Sequence, residues 1–128
     1  MPSKETYSGL SRRDRQYLSV AVELAKTSTC RNKHGALVVV GGSVIATGVN
    51  RERNPPGILS EFDLIHGGIS YHAEAMALKQ LRFTIPNRAT IYVARVNRAG
   101  IERLSRPCNN CYKLLQQYEI KEVVYTID

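Results

Sequence analysis

Two short stretches of the chain carry side chains able to hold and use a metal ion: His72-Ala73-Glu74 and Pro107-Cys108-Asn109-Asn110-Cys111. The two cysteines are spaced i and i+3, so on a helix they share one face of a turn, where two thiolates grip a single ion. A helix N-terminus carries positive partial charge and unpaired N–H groups that favour deprotonated sulfur, and Pro107 suits the entry to such a helix. A third ligand from His72 makes a Cys₂His set for Zn²⁺. Its fourth tetrahedral position stays open to water, the arrangement of a catalytic centre and not of a closed structural one. Water held there ionises at about pH 7 instead of near 16. Glu74 is then free to act as general acid and base. It lies about 200° round an ideal helix from His72, so the two serve one group only from an exposed first turn that reaches past the helix end.

Cys-x-x-Cys also occurs in redox motifs and zinc ribbons. A redox motif has no use for a correlated His-x-Glu, and a ribbon needs a second cysteine pair that the chain lacks. A non-catalytic, zinc-stabilised binding module is a further reading, and Glu74 argues against it because a structural site needs no such carboxylate. The other candidates read more plainly. Cys30 reads as a small buried hydrophobe, with an extra metal ligand second, and His34 as a strand-entry residue ahead of a ligand. His66 reads as a loop histidine, at the surface or on a lid. Tyr71 and Tyr112 read as packing residues, with stacking on a base second. Arg82, Arg88, Arg95, Arg98, Arg103 and Arg106, with Glu102 as the only acid among them, read as solvated surface, with phosphate binding second.

The elements that must position these groups follow from periodicity and turn chemistry. Ser11-Arg12-Arg13-Asp14 has the form of a capping box, and Tyr17, Leu18, Ala21, Val22, Leu24 and Ala25 recur at helical spacing, which predicts a helix over Ser11 to Thr27. Two β-branched runs, Gly35 to Val40 and Ser43 to Val49, flank Gly41-Gly42 and predict an antiparallel hairpin. Asn50 to Ser70 reads as a long loop. Tyr71 to Leu81 reads as a second helix with Ser70 as N-cap, Thr90 to Val96 as a third strand, Cys108 to Tyr118 as a third helix and Val123 to Ile127 as a fourth strand. Helices between the later strands imply parallel pairing through right-handed crossovers. The expected fold is α/β, a three-layer α/β/α sandwich on a mixed sheet that starts with a β-hairpin and continues with parallel strands.

At 128 residues and 43% hydrophobic content the chain is expected to be one domain, 1–128, with one core. Its longest apolar run, Ala36 to Val40, is far short of the about 20 residues that cross a bilayer, and Met1 to Thr6 has no hydrophobic signal core. An odd count of three cysteines does not make a secreted disulfide framework. A cytoplasmic protein with no membrane partner is expected. Eighteen basic against eleven acidic residues give a net charge of +7, which favours anionic partners, a nucleotide or single-stranded nucleic acid.

His-x-Glu followed by Pro-Cys-x-x-Cys is the signature of the zinc nucleobase deaminases, and the chain resembles the cytidine and deoxycytidylate deaminase superfamily from its first helix to its final strand. Thr47-Gly48-Val49-Asn50 is similar to the family segment whose asparagine contacts the substrate's sugar or base. His72 to Leu78 is similar to the corresponding helix of bacterial tRNA adenosine deaminases, and Ser28-Thr29-Cys30 to deoxycytidylate deaminases. The resemblance implies a cytidine deaminase-like fold, Zn²⁺ on His72, Cys108 and Cys111, and hydrolytic attack at C4 of cytosine or C6 of adenine with Glu74 carrying the proton. It implies that Asn50 touches substrate, that the Ala73 N–H holds the base carbonyl, and that the Arg106 carbonyl accepts from the amine. The substrate expected is a small cytosine nucleotide such as dCMP, with single-stranded DNA or tRNA as the alternative. The chain departs from the family in having Arg106 where relatives often have Ser or Glu. It also ends after the fourth strand, which leaves that strand's outer edge to be covered by another subunit of a homo-oligomer.

Overall fold

The computed structural model describes residues 3–5, 10–50, 72–81 and 89–127. The expected loop beyond Asn50, and with it His66, Ser70, Tyr71, Arg82 and Arg88, lies outside the described residues. The elements in chain order are β1 (Ser3–Glu5), α1 (Arg12–Lys26), β2 (Lys33–Val40), β3 (Ser43–Val49), α2 (Ala73–Leu78), β4 (Thr90–Val96), β5 (Glu102–Arg103), α3 (Asn109–Gln117) and β6 (Glu122–Tyr125).

The capping box forms as its residue types require. The Asp14 N–H donates to Ser11 Oγ at 3.0 Å and the Ser11 N–H to Asp14 Oδ2 at 3.2 Å, satisfying two N–H groups that α1 would otherwise leave unpaired. The β2–β3 hairpin turns on Gly41 and Gly42, whose φ values of 57° and 84° exclude most other residues. Its register pairs Gly35 with Val49 and Val40 with Ser43, with an irregularity between Val38 and Val39.

The sheet runs β1-β6-β4-β2-β3, with β5 beside the end of β4. β2 is antiparallel to both β3 and β4, whereas β4 and β6 are parallel, joined by the crossover through α3. The outer edge of the last strand is not left for another subunit. Residues 3–5 of the same chain pair in parallel with residues 123–125. Ser3-Lys4-Glu5 carries no apolar alternation, so its pattern does not announce a strand.

Side chains alternate across the sheet and fill two layers. Leu37, Val39, Tyr92, Ala94 and Val124 meet Leu18 and Ala21 of α1. Ala36, Val38, Ile91, Val93 and Val123 meet Ala73, Ala77 and Leu78 of α2 and Leu115 of α3 on the other face. The result is the expected three-layer α/β/α sandwich. Burying Leu37, Leu78, Ile91 or Leu115, each fully enclosed, stabilises the fold by about 1.5–3 kcal/mol per side chain. Two glycines let the helices lie hard against the hairpin. A Cβ at Gly35 would stand 2.5 Å from Ala21 O and Ala25 N of α1, and one at Gly48 would stand 2.4 Å from Ala73 O and Ala77 N of α2.

Candidate metal centre

His72 and Cys108 each stand one residue before a helix, at its N-cap. His72 has φ −81° and ψ 149°, and Cys108 has φ −69° and ψ 167°. His72, not Ser70, is therefore the N-cap of α2, and its ring does not follow the helical 100° per residue. This removes the obstacle of the 200° separation: an extended His72 and a helical Glu74 face one site, although Glu74 is buried at 4% exposure and not on an exposed turn. Likewise Cys108 and Cys111 converge as N-cap and N3. The Cys111 N–H donates to Cys108 Sγ at 3.4 Å, the cap bond that Ser or Asp usually accepts.

The ligand atoms of His72, Cys108 and Cys111 all lie within 4.8 Å of one another. His72 Nδ1 is 3.3 Å from Cys111 Sγ and 4.0 Å from Cys108 Sγ. Donors around a tetrahedral zinc, with Zn–S about 2.3 Å and Zn–N about 2.0 Å, stand about 3.5–3.8 Å apart, so this set fits the ion in spacing as well as in chemistry. A hydrogen bond from Cys111 holds the Cys108 thiol down to about 3, and the same bond, with burial, pushes Cys111 well up. Hydrogen bonding to Cys108, opposed by burial, raises His72, while burial raises Glu74 above the usual carboxylate range.

Two close fits aim the ligands. Gly48 admits α2 against β3, which sets His72 and Glu74. Ahead of Cys108, the turn Arg103–Ser105 is clasped to the sheet by Thr126. Thr126 Oγ1 donates to Arg103 O at 2.7 Å and accepts the Arg95 N–H at 3.1 Å, and Ser105 Oγ donates to Val93 O at 2.8 Å and accepts the Thr126 N–H at 2.9 Å. Both residues are buried, where such bonds must be made.

A cleft of about 300 Å³ opens beside the triad, lined by Asn32, His34, Asn50, His72, Glu74, Ser105, Arg106 and Cys108. It brings together Asn50, His72, Glu74, Arg106 and Cys108 from three separate parts of the sequence. Cys111 and Ala73 lie buried behind it. The side chain of Asn50 is engaged in holding the wall. Its Oδ1 accepts from Ser28 Oγ at 2.7 Å and from the His34 N–H at 2.9 Å, and its Nδ2 donates to Asn32 O at 2.8 Å. The Arg106 guanidinium lies 5.9 Å from the ring centre of Tyr112, which packs against the core. Cys30 is buried with its thiol on Asn50 O at 3.5 Å.

His34 is the residue that the sequence placed as a strand entry ahead of a ligand. It lines the cleft, and burial, with Arg95 its neighbour on β4, holds the imidazole down to about 4. A histidine two residues ahead of the apolar run Ala36 to Val40 was the one signal available. Asn32 and Ser105 carried none, since only the sheet order brings their segments to the cleft.

Comparison with known proteins gives a consistent picture. The family profile described as the cytidine and deoxycytidylate deaminase zinc-binding region matches residues 11–127. The structure is similar to the dCMP deaminase from the cyanophage S-TIM5 in apo form, at TM-score 0.66 and 25% identity over 92% of this chain and 86% of that one. It matches that enzyme in complex with dCMP and dUMP at TM-score 0.65 and 25% identity, over 93% and 85%. Cytidine deaminase from Mycobacterium tuberculosis shares the fold at TM-score 0.55 and 20% identity, over 84% of this chain and 79% of that one. Comparison with curated protein sequences finds no match. Among the described residues, no helix is long and apolar enough to cross a membrane. From its first helix to its sixth strand, the chain belongs to the cytidine and deoxycytidylate deaminase family.

Proposed function

We propose that the chain is a zinc-dependent hydrolytic deaminase that converts the cytosine base of a small nucleotide such as dCMP to uracil, consuming water and releasing ammonia. The observation that carries the proposal is the convergence of His72, Cys108 and Cys111 within 4.8 Å at a cleft that Glu74 also lines. Zinc held there supplies a Lewis acid that makes water nucleophilic near neutral pH.

The remaining work falls to the chain. Glu74, whose affinity for protons is raised by burial, takes a proton from the attacking water, passes it to the ring nitrogen and delivers the second to the departing amine. The Ala73 N–H, at the start of α2 where no helical carbonyl awaits it, holds the base carbonyl. The Arg106 carbonyl accepts from the amine, fixed by the Ser105–Thr126 clasp one residue earlier. Asn50 serves the substrate through the wall it holds and the one Nδ2 hydrogen left over. Support for the small substrate comes from the 25% identical cyanophage enzyme, solved with dCMP and dUMP. Three free cysteines suit a reducing compartment, and we place the enzyme in the cytoplasm.

The test is ammonia release from dCMP, cytidine and a cytosine-containing oligonucleotide, by zinc-loaded wild type and Glu74→Ala, at two salt concentrations. Turnover of dCMP that the substitution abolishes is expected. Activity that survives Glu74→Ala refutes the mechanism. The net charge of +7 favours a polymer as the second reading, and turnover of the oligonucleotide alone, falling steeply with salt, would establish it.

A further inference from the structure

The walls of the cleft differ in what their polar groups already hold. A cytosine whose amine-bearing carbon faces His72 and Cys108 turns its glycosidic nitrogen, on the opposite side of the ring, away from them. Its sugar then falls to the rest of the lining, Asn32, His34, Asn50, Ser105 and Arg106. The Ser105 hydroxyl is committed to Val93 and Thr126, and the Arg106 guanidinium lies against Tyr112. The Asn50 amide is held by Ser28, His34 and Asn32 with a single Nδ2 hydrogen to spare, and Asn32 Oδ1 accepts from Arg95 Nη2 at 3.2 Å.

His34 is different. Its backbone is fixed on both sides by Asn50, which accepts the His34 N–H at 2.9 Å and donates its own N–H to His34 O at 3.2 Å. Its imidazole makes no hydrogen bond among the described residues, yet it lines the cleft with Glu74 and His72. Strand β2 otherwise sends apolar side chains from residue 36 onward into the two core layers. A rigidly mounted donor and acceptor at a cleft wall, uncommitted among the described residues, is suited to a ligand.

We propose that His34 is a specificity-determining residue that hydrogen-bonds the sugar hydroxyl of the bound nucleotide. The assignment rests on the deaminase reading above. It gives Asn50 the task of mounting the reader and gives His34 the task of reading.

The test uses zinc-loaded wild type, His34→Val and His34→Gln with dCMP, its 2′,3′-dideoxy analogue and the product dUMP. For His34→Val we expect KM for dCMP and the dissociation constant for dUMP to rise about tenfold, the effect of one lost hydrogen bond. Turnover number should stay within threefold and zinc stoichiometry should be unchanged. His34→Gln should recover most of the affinity. With the dideoxy analogue, wild type and His34→Val should agree within twofold, because the partner hydroxyl is gone. Should the valine variant not fold, His34→Asn, which is polar but shorter, takes its place with the same expectation.

Affinity for dCMP and dUMP that stays within twofold of wild type overturns the assignment. So does an equal loss with dCMP and the dideoxy analogue, which would mark a packing role. Either result, obtained while wild type turns over dCMP, leaves the deaminase reading standing. A wild type that neither binds nor deaminates any nucleotide brings down both.

Discussion

Gly48→Ala isolates the coupling between packing and metal affinity. The added methyl would stand 2.4 Å from Ala73 O and Ala77 N and 3.0 Å from the Met76 carbonyl carbon, all backbone atoms of α2. Ordinary contact begins at 3.4 Å, so helix and strand must part by 3.4 − 2.4, about 1 Å. Overpacking of this kind costs about 1–3 kcal/mol, offset by about 0.4–1 kcal/mol from the stiffer unfolded chain. The shift also carries His72 with it, and metal sites tolerate displacements of only about 0.2 Å. Gly35→Ala is the control, since its methyl meets α1 backbone at 2.5 Å, but α1 carries no ligand. Both variants should lose similar stability in denaturant unfolding at a fixed free zinc concentration. Only Gly48→Ala should lose zinc affinity, by tenfold or more in competition with a chromophoric chelator, while Gly35→Ala stays within threefold of wild type. Equal zinc affinities in the two variants would refute the reasoning.

Further outcomes follow from the same geometry. Glu74→Gln keeps shape but not proton transfer, so turnover should fall by about 10²–10⁴ while metal analysis still finds one zinc per chain. Cys111→Ser should bind zinc weakly and lose the chelator-sensitive part of its thermal stability, whereas Cys30→Ala, outside the triad, should retain the metal. Tyr92→Phe removes a buried bond of 2.7 Å to Asp14 Oδ1 and should cost about 1–3 kcal/mol in urea unfolding, with little change in zinc affinity. The His34 imidazole is held down to about 4 against an ordinary 6.5, so between those values the unfolded chain binds a proton that the folded chain refuses. Its contribution to stability is present above pH 6.5 and lost as pH falls toward 4. His34→Val should therefore show a flatter stability profile over that window, and parallel profiles would contradict the assignment.

Much of this was legible in the residues, for identifiable reasons. The capping box at Ser11 and the Gly41-Gly42 turn are local devices, and each set an element boundary within a residue or two. The half-motifs at His72 and Cys108 were legible because ligand chemistry restricts residue type so severely. β1 was not, because Ser3-Lys4-Glu5 has no apolar alternation, and the two-residue β5 is too short for any pattern. The N-cap geometry of His72 and Cys108 was also hidden, since neither is an ordinary capping residue. His34, Asn32 and Ser105 reach the cleft from different strands and turns, a convergence that only the strand order explains.

The Thr126 clasp has a further consequence for the order in which the molecule assembles. Cys108 and Cys111 precede in sequence the strand that fixes the turn before them, since the bonds from residue 126 back to Arg103 and Ser105 span more than twenty residues. During synthesis the thiols emerge ahead of the latch that aims them. Capture of the ion in its final geometry must wait until β6 has docked beside β4, so a strand that carries no ligand decides when the centre is complete.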